Sequence, residues 1–134
     1  MSVDSPDYAR LAAHDPIALQ RVEAGGAGWL FYTSGTTGRP KGATLTHRNL
    51  MAMLLGYLGD ITHVTTRSTI LHAAPLSHGT GLMALPYVAK AAANVVLESR
   101  SLDHDEVLEL LERYRGVTMY HTPTMLKRLV NHPA

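Results

Sequence analysis

The run Tyr32-Thr33-Ser34-Gly35-Thr36-Thr37-Gly38-Arg39-Pro40-Lys41-Gly42 is the most restrictive stretch of the sequence. It follows an apolar, strand-like segment, Trp29-Leu30-Phe31-Tyr32, and packs three glycines, four aliphatic hydroxyls and one lysine into eleven residues. That is the composition of a loop suited to holding phosphates. Glycines let the backbone approach an anion closely and take positive φ. Successive N–H groups can form an anion-binding concavity. The hydroxyls donate further bonds, and Lys41 adds a mobile positive charge. Each bond to a charged oxygen contributes about 1.5–3 kcal/mol.

Two common phosphate loops are excluded by spacing. A Walker-type loop needs Gly-x-x-x-x-Gly-Lys followed by Ser or Thr. Here Gly42 follows Lys41, and no glycine pair has the required spacing. The dinucleotide pattern Gly-x-Gly-x-x-Gly is also absent from this loop.

The run continues as Ala43-Thr44-Leu45-Thr46-His47-Arg48-Asn49-Leu50. As a whole it resembles the signature of the adenylate-forming superfamily: acyl-CoA synthetases, adenylation domains of peptide synthetases, and luciferases. Ala74-Pro75-Leu76-Ser77-His78-Gly79-Thr80-Gly81-Leu82 is similar to that family's next motif, a Pro-apolar-x-His segment opening a helix. A looser match is Tyr120-His121-Thr122-Pro123-Thr124-Met125-Leu126, where the family runs a strand into a Pro-Thr helix start. The three motifs occur in the family's order, and the resemblance extends from about Gly28 to Val130.

Length and composition fit one globular unit. The chain has 134 residues, of which 46% are hydrophobic and 17% charged, so disorder is not expected. Net charge is +1, from 12 Lys+Arg and 11 Asp+Glu, and no nucleic acid or anionic membrane is implied as a partner. Without cysteine there is no disulfide framework, thiolate metal site or thiol nucleophile. The most apolar region, Leu82 to Leu97, is interrupted by Pro86, Lys90 and Asn94. It reads as a buried helix then a strand, not a membrane span. The expected location is the cytoplasm.

Along the chain, Tyr8, Leu11 and Ala12 suggest a short helical turn, and Asp15-Pro16 the start of another. Gly25 to Gly28 reads as a hinge or linker; at this point the family often carries an acidic residue that glycine replaces here. Trp29 to Tyr32 suits a buried strand. Thr46 can cap a helix from His47, with Leu50, Met53, Leu54, Tyr57 and Leu58 on one face. Strands are expected around Thr69 to Ala73, Val95 to Glu98 and Val117 to Tyr120. Helices are expected from Gly79 to about Ala93, after Asp103, and after Thr122-Pro123. Asp103 and Glu106 have capping-box spacing, Tyr114 extends that helix's apolar face, and Gly116 is a stop. Strand–helix alternation implies an α/β fold, a largely parallel sheet flanked by helices, here part of the large N-terminal domain of an adenylate-forming enzyme. The expected division is an N-terminal segment and linker over 1–25, and a partial AMP-binding domain over 26–134.

The resemblance implies a two-step reaction. A carboxylate attacks the α-phosphorus of ATP, giving an acyl adenylate and pyrophosphate, and a thiol, usually that of coenzyme A, then displaces AMP. Mg²⁺ usually assists the first step. Thr33, Ser34, Gly35, Thr36, Thr37, Gly38 and Lys41 match the triphosphate-holding loop, with Lys41 on the β and γ phosphates and Pro40 shaping the loop. His78 matches a wall of the carboxylate site that can gate it; the competing reading is a buried histidine bonded to backbone. Gly79 and Gly81 would give the acyl chain close access to the helix start. His47, Arg48 and Asn49 fix the helix after the loop. No zinc site is expected of His72, His104 and His121, which fall on separate elements. Asp103, Asp105, Glu106, Glu109 and Glu112 read as a solvated helix face.

The family's Tyr-Gly-x-Thr-Glu motif, its ribose-binding aspartate and its C-terminal lysine find no match. We therefore read the chain as a piece of an acyl-CoA synthetase that is inactive in isolation and binds nucleotide or pyrophosphate weakly at most. Its catalytic residues are not assigned here, fatty or aryl acids are the expected substrates, and self-association through surface exposed by truncation is expected. The alternatives are an adenylation domain that loads a carrier protein, and a short non-catalytic nucleotide-binding or interaction module.

Overall fold

A computed structural model of the chain describes residues 4–33, 40–99 and 102–133. A short helix, α1 (Pro6–Ala12), is capped by Ser5, whose side chain accepts from the Tyr8 amide. Residues 15–23 form no regular element. The helix expected after Asp15-Pro16 is therefore not formed: Ile17 and Leu19 are fully exposed, so no packing offsets the cost of nucleating so short a helix.

An antiparallel hairpin follows, β1 (Ala27–Thr33) and β2 (Lys41–Thr46), with Phe31 opposite Ala43 and Thr33 opposite Lys41. Trp29 and Phe31 are half-buried, while Leu30 and Tyr32 are 56% and 63% exposed. The expectation of a buried strand is thus corrected to a two-stranded ribbon with one face covered, which is why its burial alternates. Gly25 to Gly28 is no free linker either. The amides of His47 and Arg48 donate to the carbonyls of Gly26 and Ala24, and a Cβ on Gly28 would stand 2.9 Å from Leu50.

Thr46 starts α2 (His47–Gly56) as expected. Its hydroxyl accepts from the Asn49 amide at 3.2 Å, and Asn49 Oδ1 accepts from the Thr46 amide at 3.0 Å, a complete capping box. Asn49 thereby performs the structural role expected of it. The helix runs on into a π-helical turn, Tyr57–Ile61.

The remaining strands form one parallel sheet in the order β4 (Ala93–Val96), β3 (Thr69–His72), β5 (Val117–Met119). Helices α3 (Gly79–Ala89), α4 (His104–Arg113) and α5 (Pro123–Val130) connect and follow them. β3, in the middle, is buried along its whole length. Its neighbouring residues point to opposite faces. Ile70 packs with Val64 and Tyr87 on the α2–α3 side. Leu71 packs with Ala73 and Val107 on the α4–α5 side. The connections β3-α3-β4 and β4-α4-β5 travel in opposite directions along the sheet. Right-handed crossovers then place α3 and α4 on opposite faces, as these two clusters require.

Boundaries differ where the apolar pattern was ambiguous. α3 ends at Ala89 because Ala91 adopts φ 50°, so the strand begins at Ala93, earlier than Val95. α4 ends at Arg113; Tyr114 is extended, with the Arg113 guanidinium 5.6 Å from its ring centroid. Gly116 takes φ +60° in the turn into β5, a conformation that favours glycine. No described helix is long and apolar enough to cross a membrane.

Candidate nucleotide and carboxylate site

In an open parallel sheet, ligands bind outside the carboxyl ends of the strands, where successive connections diverge. Here that crevice lies between β3, which feeds α3 on one face, and β5, which feeds α5 on the other. Gly79, the first residue of α3, and Tyr120, just past β5, meet across it. A Cβ on Gly79 would stand 3.1–3.3 Å from the Tyr120 ring, so glycine here permits the contact. Gly81 has a different reason to lack a side chain. A Cβ there would lie 2.0 Å from the Leu76 carbonyl oxygen, so this glycine serves the approach of the 73–78 loop to the helix.

His78 caps α3 through its backbone, with no cap bond from its side chain. It is exposed, and its Nδ1 lies 3.1 Å from Ser77 Oγ. The competing reading of a buried, backbone-bonded histidine does not describe it.

Beneath Tyr120 opens a cleft of about 590 Å³. Ile70, Thr118 and Met119 supply the sheet side, Met83 the α3 side, and Met53, Gly56, Tyr57, Asp60 and Ile61 the α2 side. The Tyr57 ring meets Tyr87 edge-on at 6.2 Å, with the hydroxyls 3.5 Å apart. Burial, then the Tyr87 hydroxyl, holds the Tyr57 phenol protonated well above its usual range. A second cleft of about 440 Å³ lies on the other face, between Pro75, Leu76, Leu97 and Met125.

The group that sequence reasoning missed is His72. It is 3% exposed at the end of β3. Its Nδ1 lies 2.7 Å from Thr80 Oγ1 in the first turn of α3, and its Nε2 lies 3.0 Å from Asn94 Oδ1 on β4. The Asn94 amide nitrogen donates to the Ala92 carbonyl, so Oδ1 faces the ring and accepts. Nε2 then donates in the Asn94 contact. This bridge ties the start of α3, with His78 and Gly79, to two strands. A histidine within an otherwise apolar buried run was the available signal.

Of the loop expected to hold phosphate, Thr33 and Lys41 are paired across the hairpin, with the Thr33 hydroxyl 3.5 Å from the Lys41 carbonyl. Gly42, opposite Tyr32, carries that ring 3.2 Å from where a Cβ would be. Ser34, Gly35, Thr36, Thr37 and Gly38 lie outside the described residues. The hairpin thus pairs the two residues Thr33 and Lys41, which flank that run.

The acidic face of α4 needs one correction. Asp103 caps the helix through the amides of Asp105 and Glu106, but Glu106 does not return to it. Its carboxylate accepts from the amides of Glu98 at 2.6 Å and Ser99 at 3.2 Å. It reaches back to secure the chain after β4. His104 stacks on His132, centroids 5.3 Å apart. Among the described residues, no group of three or more His, Cys, Asp or Glu is placed to hold a metal ion.

Comparison with known proteins agrees with this architecture. The family model described as AMP-binding enzyme matches residues 6–134. The mitochondrial medium-chain acyl-CoA ligase ACSF2 of Mus musculus is 35% identical over 127 residues, covering 92% of this chain and 19% of the relative. Feruloyl-CoA synthase of an Amycolatopsis species is 40% identical over 106 residues, covering 78% and 21%. The chain therefore spans about a fifth of the length of these relatives. Among solved structures, ATP-bound MatB from Rhodopseudomonas palustris superposes with a TM-score of 0.75 at 31% identity, over 95% of this chain and 25% of that one. The o-succinylbenzoate CoA synthetase of Bacillus subtilis, in complex with its acyl-adenylate intermediate, gives 0.78 at 26% identity, over 94% and 33%.

Proposed function

The chain belongs to the AMP-binding enzyme family, and from that premise we propose that it is the triphosphate-holding part of an ATP-dependent acyl-CoA synthetase. The observation that carries this reading is the hairpin pairing of Thr33 with Lys41, which brings the ends of the glycine- and threonine-rich run together. In this reading Thr33, Ser34, Gly35, Thr36, Thr37, Gly38 and Lys41 neutralise the pyrophosphate leaving group as the carboxylate attacks. Preorganised donors aimed at developing charge are the largest catalytic contribution in many enzymes. Mg²⁺ arrives with ATP as part of the substrate, and no described residue is assigned to it. Coenzyme A is the acceptor thiol.

The carboxylic acid, fatty or aryl, enters at the crevice where Gly79 meets Tyr120, with His78 at its mouth and the 590 Å³ cleft beyond. Residues 1–25 form a lead-in segment and 26–134 part of the AMP-binding domain. Met51, Leu55, Val88 and Val130 are exposed. Further parts of such an enzyme would cover surface of this kind, so the isolated chain self-associates and does not turn over. Light scattering that finds only monomer at high concentration would contradict the self-association. The reading places the enzyme in the cytoplasm, whereas the mouse relative is named as mitochondrial.

The test is a chimaera. Residues 28–130 replace the matching stretch of a full-length feruloyl-CoA synthase, and acid-dependent ATP–pyrophosphate exchange is assayed, followed by thioester formation with coenzyme A. Both activities are expected. A folded chimaera that binds AMP yet catalyses no exchange would overturn the assignment.

A further inference from the structure

Gly56 closes α2 and borders the 590 Å³ cleft. Nothing in its backbone asks for glycine: φ −61° and ψ −41° are ordinary right-handed helical values. Nothing in its packing asks for it either. A Cβ there would meet no atom within 4 Å, in contrast to Gly28 and Gly81, where one would stand 2.9 and 2.0 Å from a neighbour. A glycine inside a helix weakens it relative to alanine. What the missing side chain does provide is open space bordering the cleft. The next residues form the π-helical turn, which supplies Tyr57, Asp60 and Ile61 to the same wall; such turns concentrate at functional sites. Met53, Met83 and Met119, flexible and polarisable, also line it.

We propose that Gly56 is a specificity-determining position, whose absent side chain leaves room in the cleft for the tail of a carboxylic acid longer or wider than a short alkyl chain. The proposal rests on the acyl-CoA synthetase reading above, which supplies the acid. Filling the position would shorten the cleft and shift preference towards small acids, since one methylene in an apolar pocket changes discrimination by about tenfold or more.

The experiment is a titration of the 134-residue chain with hexanoate and decanoate, followed by NMR, for wild type, Gly56→Ala, Gly56→Leu and Gly59→Leu. Gly59 lies in the same turn, a Cβ there also meets nothing within 4 Å, and it does not border the cleft. Gly56→Leu should weaken decanoate at least about tenfold and leave hexanoate within about threefold, Gly56→Ala should fall between, and Gly59→Leu should match wild type. If Gly56→Leu fails to fold, the Gly56→Ala shift decides. Wild-type binding with an unchanged length preference in the Gly56 variants overturns this inference alone. A wild-type chain that binds neither acid overturns it together with the assignment of the cleft to the acid.

Discussion

His72 Nδ1 lies 2.7 Å from Thr80 Oγ1, and through that contact the central strand holds the first turn of α3. The same ring reaches Asn94 on β4, so one buried side chain fixes three elements at the edge of the crevice. Replacing it with leucine leaves the Thr80 hydroxyl and the Asn94 carbonyl oxygen without this partner. Thr80 is fully buried whereas Asn94 is exposed, and losing one buried partner costs about 1–3 kcal/mol, so urea unfolding should show His72→Leu destabilised by about that amount. A loss under about 0.5 kcal/mol would contradict the bridge.

Gly81 carries a steric rather than a polar prediction. A methyl group there would sit 2.0 Å from the Leu76 oxygen, so either the 73–78 loop or the start of α3 must move. Gly81→Ala should cost at least about 1–3 kcal/mol, whereas Gly56→Ala should be neutral or stabilising by up to about 1 kcal/mol. Thermal melts of the two variants compare them directly.

Much of this fold was legible because period and punctuation agreed. Thr46, Asp103 and Thr122 cap the helices they were expected to cap, and Leu50, Met53, Leu54, Tyr57 and Leu58 are all half-buried. The failures have physical causes. Burial of β1 depends on what covers Leu30 and Tyr32, which an apolar run does not disclose. The end of α3 depends on the positive φ of Ala91, a residue with no preference for it. The His72 bridge joins positions 72, 80 and 94, and no local pattern records a contact made by the fold. Glu106 was assigned to solvent because its bonds to Glu98 and Ser99 likewise arise between elements. The crevice itself follows from strand order, which a single sequence leaves open.

Glu106 gives the chain a pH signature. The Ser99 hydroxyl first, then the amides of Glu98 and Ser99, hold its carboxyl below the usual glutamate range. A carboxylate lowered in the folded state contributes stability above its unfolded pKa, and that stability is lost as pH falls through the folded value. Glu106→Gln should therefore be less stable than wild type near neutrality. The difference should shrink below about pH 4, as wild type loses the advantage. Paired denaturation curves across that range check the sign; a constant difference would contradict it.

The capping box at α2 should register as a local effect. Thr46→Ala removes the acceptor for the Asn49 amide and should cost about 1 kcal/mol. Hydrogen exchange should report faster opening at the first turn of α2 and little change in α4, whose cap is Asp103.

The account depends most on the run flanked by the paired Thr33 and Lys41. Calorimetric titration of the chain with pyrophosphate, wild type against Lys41→Ala, addresses it directly. The account predicts weak binding by wild type and a loss of at least about tenfold in Lys41→Ala, the equivalent of one charge-assisted bond. Equal affinity in the two proteins would contradict it.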